Sequence, residues 1–148
     1  MITLSCNASS VYAQLKTHLF TQIDSLQKLD NKNVLVFIYT DWCRYCNIMK
    51  NTTFKNENVI KLLNDKFWFV SLNAEEKQGI DFNKNLFKYK PTGNKTGVHE
   101  LAEQLGTFDG KLSYPALCML NSGYEIVFQY GGFLSVAELL KVLKAAEK

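Results

Sequence analysis

Apolar positions along the chain change period several times, and each change marks an element. Between Ser10 and Leu29 they fall at Val11, Leu15, Leu19, Ile23 and Leu26. The spacing is mostly three or four, which predicts an amphipathic helix with Ser9 or Ser10 as its N-cap. The polar run "LDNKN" closes it. "VLVFIYT", residues 34–40, is apolar without alternation, as expected of a strand buried on both faces inside a parallel sheet. A helix follows, then a shorter one in "FKNENVIKLLNDKF" with Asn56 as N-cap, then a second buried strand, "FWFVSLN". Strand, helices, strand is the order of a right-handed βαβ crossover.

Residues 74–96 interrupt this with glycines, asparagines and lysines; within them "IDF" and "LFKYK" flank "NKN" and predict a short hairpin. "GVHELAEQL", Gly97–Leu105, reads as a brief helix closed by Gly106 at C′. "YPALCML" and "YEIVFQY" are two strands joined by a turn at "NSG". Ser135-Val136-Ala137-Glu138 is a capping box opening a last helix, whose apolar face is Leu139, Leu140, Val142 and Leu143. Together these elements predict an α/β domain with a central mixed sheet of about four to five strands flanked by helices. No repeat, low-complexity tract or linker divides residues 1–148. They are expected to form one domain: an N-terminal helix and leader (1–32), a βαβ unit (33–73), an insertion (74–96), and a helix, hairpin and C-terminal helix (97–148).

Composition narrows the class without changing this picture. A chain of 148 residues, 47% hydrophobic and 21% charged with only 2 prolines, is long enough to bury a core without disulfide staples. A net charge of +3 is too small to argue for nucleic acid. No stretch approaches the roughly 18 uninterrupted apolar residues of a membrane helix, and "MITLSCNASS" has neither a basic nor an apolar signal region, so a soluble chain is expected. Met1 is compatible with a true start or with the start of a trimmed precursor. The 4 cysteines, Cys6, Cys43, Cys46 and Cys118, are too few and too unevenly placed for a secreted disulfide scaffold.

The chemistry lies in "DWCRYC", which places two cysteines three apart where a strand gives way to a helix. A thiol at a helix N-terminus is favoured as thiolate by unpaired backbone N–H groups and the positive end of the helix dipole. Cys43 has that place, and the spacing returns Cys46 along the same turn, near enough to attack a mixed disulfide formed at Cys43. Cys43 is therefore expected to be the nucleophile and Cys46 the resolving thiol. Arg44 sets a cation beside the nucleophile, which favours the reduced form and makes the pair somewhat more oxidising than thioredoxin, unless its side chain merely points into water. Two other readings are weaker. Structural zinc needs four ligands, and Cys6, Cys118, His18 and His99 are not paired at ligand spacing. A buried, inert cysteine pair is at odds with an arginine and a tyrosine between the sulfurs.

Strand, "DWCRYC" opening a helix, a second strand, and an Xaa-Pro before a closing hairpin and helix resemble the thioredoxin superfamily over about residues 33–147. "YTDWCRYC" followed by "TFKNENV" is similar to the C-terminal thioredoxin-like domain of the thiol:disulfide interchange protein DsbD and to soluble thioredoxin-related proteins. The resemblance implies a thioredoxin fold. It also implies a groove in which Trp42 packs beside the sulfurs and Pro115, as a cis proline, faces the dithiol. A cis bond is tolerable only before proline. Tyr114 would then offer backbone groups to an extended substrate segment, as strand addition requires, and Arg44 and Tyr45 would border the same groove. Two positions depart from the pattern. A buried aspartate of many members is Phe37 here, and a lysine on the neighbouring strand is Ser71. Their joint loss leaves no unpaired buried charge, but it also leaves Cys46 without the usual proton acceptor, so a slow or strongly pH-dependent resolving step is expected.

The remaining features say less. His18 and His99 are expected on helices as structural residues, Cys118 as a small apolar core residue, and Cys6 as a free thiol near a loose end. Phe82, Phe87 and Tyr89 alternate with Lys84, Lys88, Lys90 and Lys95, which imitates a single-strand nucleic-acid surface but reads better as a hairpin with aromatics inward, used in partner selection. The expected activity is thiol–disulfide exchange with a protein disulfide or dithiol, as reductase or electron relay, with the Cys43–Cys46 disulfide as redox centre and no other cofactor or metal. The electron donor is expected to be a membrane or soluble reductase, and the chain a monomer. A binding module whose dithiol does not turn over is the alternative. The resemblance leans to the bacterial periplasm or another extracytoplasmic space, with the cytoplasm as alternative.

Overall fold

The computed structural model describes residues 13–147. Its centre is β2 (Asn33–Tyr39), which pairs in parallel with β3 (Phe67–Asn73) and antiparallel with β10 (Ala116–Leu120). β1 (Thr17–His18) extends the sheet beyond β3, and β11 (Ile126–Gly131) beyond β10, giving the order β1-β3-β2-β10-β11. Side chains alternate across β2 as its pleat requires. Val34, Val36 and Ile38 pack with α1 (Phe20–Leu29) and α4 (Glu100–Gly106). Leu35 and Phe37 face α2 (Arg44–Asn51), α3 (Glu57–Lys66) and α5 (Val136–Ala146). Both faces are covered, which is why the strand lacks a polar alternation.

Caps match the sequence signals at two helices. The Asn56 side chain accepts the N–H groups of Asn58 and Val59 at 3.0 and 3.2 Å. Ser135 Oγ accepts the Glu138 N–H at 3.3 Å while the Glu138 carboxylate accepts the Ser135 N–H at 2.8 Å.

The first helix is shorter than its periodicity suggests. Thr17 and His18 are not helical; they pair with Phe69 and Val70 at the sheet edge, and the helix begins at Phe20. The unpaired flank of β3 competes for these residues, and β-branched Thr17 suits a strand. Gln22 Oε1 accepts the Leu19 N–H at 2.9 Å and closes the new terminus. The expected caps Ser9 and Ser10, and Cys6, lie outside the described residues.

The insertion holds two hairpins where one was expected. β4 (Ile80–Phe82) pairs with β5 (Asn85–Phe87) through Asn83 and Lys84, both at positive φ, 48° and 61°, the backbone of a primed two-residue turn. "LFKYK" is not one strand. Lys88 breaks it, its N–H donating to Glu100 Oε2 at 2.7 Å and its carbonyl accepting the Glu100 N–H at 2.9 Å. β6 (Tyr89–Gly93) then pairs with β7 (Thr96–His99), so the helix expected from Gly97 starts only at Glu100. Gly97 lies under the Tyr89 ring and the Lys90 carbonyl, where a Cβ has no room. Gly106 is the last helical residue rather than a left-handed C′; a Cβ there would meet Leu112 Cδ1 at 2.7 Å, in the short hairpin of β8 (Thr107–Phe108) and β9 (Lys111–Leu112) that follows. Among the described residues no helix is long and apolar enough to cross a membrane.

Candidate redox site

β2 ends at Tyr39, and the chain turns through Thr40, Asp41 and Trp42 before α2. Cys43 is the N-cap of α2, and its Sγ accepts the Cys46 N–H at 3.1 Å. A cap donor aimed at sulfur stabilises charge there. The two cysteines are joined in a disulfide with Cα atoms 5.2 Å apart. Cys43 is 6% exposed and Cys46 fully buried, so the little surface access the pair has lies at Cys43.

The Tyr114–Pro115 peptide is cis, and Pro115 is buried in the bend just before β10. Its carbonyl accepts the Gly132 N–H at 2.8 Å, which ties the bend to the end of β11. An edge contact between the Trp42 and Tyr114 rings, centroids 5.9 Å apart, brings the dithiol loop and this bend into one site. Burial, then the Glu75 and Glu103 charges, push the Tyr114 phenol above its ordinary range, so it stays neutral. Trp42 itself is 71% exposed, its indole N–H donating to Glu75 Oε1 at 2.5 Å. Asn73 holds the Glu75 backbone, accepting its N–H at 2.9 Å and donating to Asp41 Oδ2 at 3.3 Å. Tyr45 stands exposed near Phe133, centroids 6.3 Å apart, and Arg44 is exposed.

Glu75 and Phe133 were not singled out from the sequence. Nothing local marks Glu75, whereas Phe133 is an aromatic straight after "GG" in the loop that must approach Pro115. Phe37 and Ser71 are direct neighbours across β2 and β3 on the face of α2. The Phe37 ring, buried against Phe54 at 4.8 Å and stacked on Tyr39 at 5.8 Å, fills the space with carbon.

Other sequence candidates lie elsewhere. His18 is on β1, its ring edge-on to Trp68 at 5.2 Å, rather than on a helix. His99 is likewise not helical but the buried N-cap of α4, with Nδ1 accepting the Leu101 N–H at 3.2 Å and Nε2 3.1 Å from the Gln78 carbonyl. A sheet edge and a cap absorb them because each has an unpaired backbone group to satisfy. Cys118 is buried in β10, and burial pushes its thiol up to about 12. Among the described residues no group of three or more His, Cys, Asp and Glu is arranged to hold a metal ion.

The family model described as a thioredoxin-like domain matches residues 20–147. The chain belongs to the thioredoxin-like domain family. Solved structures share the thioredoxin fold at low identity. The DsbH oxidoreductase aligns with a TM-score of 0.65 at 18% identity, over 99% of this chain and 94% of that one. A thioredoxin from Thermus thermophilus gives 0.63 at 20%, over 90% and 87%. The reduced C-terminal domain of DsbD from Neisseria meningitidis gives 0.56 at 16%, over 86% and 92%. Two curated proteins match a shorter stretch of this thioredoxin-like chain. An uncharacterized protein of Caenorhabditis elegans is 30% identical over 60 residues, 39% of this chain and 8% of that protein. Spermatogenesis-associated protein 20 of Mus musculus is 32% identical over 54 residues, 36% and 7%. The chain thus spans a small part of the curated relatives it matches.

Proposed function

We propose that this domain is a thiol–disulfide oxidoreductase that exchanges two electrons between the Cys43/Cys46 pair and a protein disulfide, working as a reductase or electron relay. The observation that carries this reading is a disulfide whose less buried cysteine caps a helix, beside a bend that Trp42 and Tyr114 join to it. In the reducing direction the Cys43 thiolate attacks one sulfur of the partner disulfide, forming a mixed disulfide and releasing the partner's first thiolate. Cys46 then loses its proton to water and attacks Cys43 Sγ. The internal disulfide closes, and the second partner thiolate leaves. The partner gains two electrons and the dithiol loses two, so the cysteine pair itself is the redox centre.

In this reading Trp42, Arg44, Tyr45, Tyr114 and Pro115 line the partner groove, with backbone groups at Tyr114 available to an extended segment. Arg44 favours the thiolate and makes the pair more oxidising than thioredoxin. The domain acts as a monomer, and a membrane or soluble reductase resupplies electrons. Reduction of insulin by dithiothreitol tests the activity: the intact chain accelerates precipitation of the insulin B chain and Cys43→Ser does not. Equal rates for the two would reject the reading and favour a binding module. Cys46→Ser leaves Cys43 able to retain its partner as a mixed disulfide, which identifies that partner.

A further inference from the structure

In α2, Lys50 follows Cys46 by four residues and so shares its face, with Cβ atoms about 6 Å apart. Helical side chains lean toward the N-terminus, which carries the Lys50 amine back toward the dithiol end. Its Nζ rests 3.2 Å from the centre of the Tyr39 ring. Tyr39 stacks on Phe37, and Phe37 packs in the same apolar cluster as both cysteines. Lys50, Lys55, Phe37 and Ser71 line one open cavity of about 630 Å³ on this face. Where Phe37 and Ser71 meet across β2 and β3, the strands offer a phenyl ring and a hydroxyl and no charge. The helix supplies a cation instead.

We propose that Lys50 is a positioning residue for the resolving step: its ammonium, held on the Tyr39 ring one helical turn beyond Cys46, stabilises the Cys46 thiolate as it attacks Cys43 Sγ. The inference rests on the oxidoreductase reading and deepens it. Lys50 exchanges no proton; the Cys46 proton goes to water, the Cys43–Cys46 bond forms, and the bond from Cys43 to the partner sulfur breaks with its electron pair leaving on the partner. The ammonium is partly desolvated, since burial lowers the Lys50 pKa from the usual lysine range while Asp41 opposes the shift. Desolvation by protein increases the reach of a charge. The charged groups facing this region are Asp41 from the loop after β2, Glu76 from the loop after β3 and Lys55 from the turn Thr53–Lys55. The Tyr39 phenol is raised by burial and by the Asp41 and Glu76 charges and remains neutral.

Dithiodipyridine, an uncharged disulfide with a coloured product, separates the two steps in a stopped-flow experiment on the reduced chain in a Cys6→Ser background. The first equivalent of thiopyridone reports attack by Cys43, and the second reports resolution by Cys46. In Lys50→Met the first phase is expected to stay within about twofold, and the second to slow about three- to tenfold at pH 7. The gap should close as the pH rises and Cys46 ionises unaided, and Lys50→Arg should keep the fast second phase. An unchanged second phase in Lys50→Met, a slowing equal at every pH, or Lys50→Arg as slow as Lys50→Met would each overturn the proposal. No first phase in the chain with Lys50 intact would sink the oxidoreductase reading itself, an outcome distinct from a defect confined to the second phase.

Discussion

Two cysteines of this chain illustrate how placement decides reactivity. Cys43 caps a helix, receives the Cys46 N–H and keeps a strip of exposure. Cys118 stands in the middle of β10 among apolar neighbours, and burial alone lifts its thiol to about 12. A thiolate is the reactive form, so Cys118 in the folded, oxidised Cys6→Ser chain is expected to be silent toward iodoacetamide at pH 8 and to react once urea unfolds the protein. Mass spectrometry of the alkylated chain checks this, and one adduct on the folded protein would contradict it. Cys118 was legible as a core residue because its neighbours in "ALCML" are apolar. Lys50 was not, because a lysine at the end of a helix is indistinguishable in sequence from one that only faces water.

At the scale of elements, the helices opened by Asn56 and Ser135 start where those caps stand. Ser135 and Glu138 form both halves of their box, and Ser135→Ala is expected to lower stability by about 1 kcal/mol in urea titrations. Hydrogen bonds from the Ser135 backbone and side chain hold the Glu138 carboxyl below the usual range. A depressed folded value means that the stabilisation is complete above the ordinary glutamate range and disappears as acid takes the pH through the lower, folded value. Stability followed from pH 7 to pH 3 should therefore fall less steeply in Glu138→Gln than in the parent; parallel curves would remove this contribution. Elements set by pairing with another segment were misjudged. β1 exists because the flank of β3 is open to pairing, and β7 because Tyr89 and Lys90 lie against Gly97.

The candidate redox site is a property of the whole molecule, since its groups come from the loop after β2, the loop after β3, the bend before β10 and the loop before α5. Trp42 joins the first three through Glu75 and Tyr114. If it forms part of the partner groove, Trp42→Ala should raise KM for insulin about five- to thirtyfold, the effect of losing a contact aromatic. Its rate with dithiodipyridine should stay within about twofold, and an equal loss on both substrates would assign Trp42 to packing instead. The residues alone established the α/β order, the buried central strands, the caps at Asn56 and Ser135 and the cysteine pair at a helix start, because each is written in contiguous spacing and short-range hydrogen bonding. Only the tertiary structure decided that Glu75 meets Trp42 and Phe133 meets Tyr45, that Phe37 and Ser71 lie side by side on the face of α2, and that the Lys50 amine settles on Tyr39. Those neighbours are set by sheet register and helix docking, which act between residues far apart in the chain and leave no local pattern.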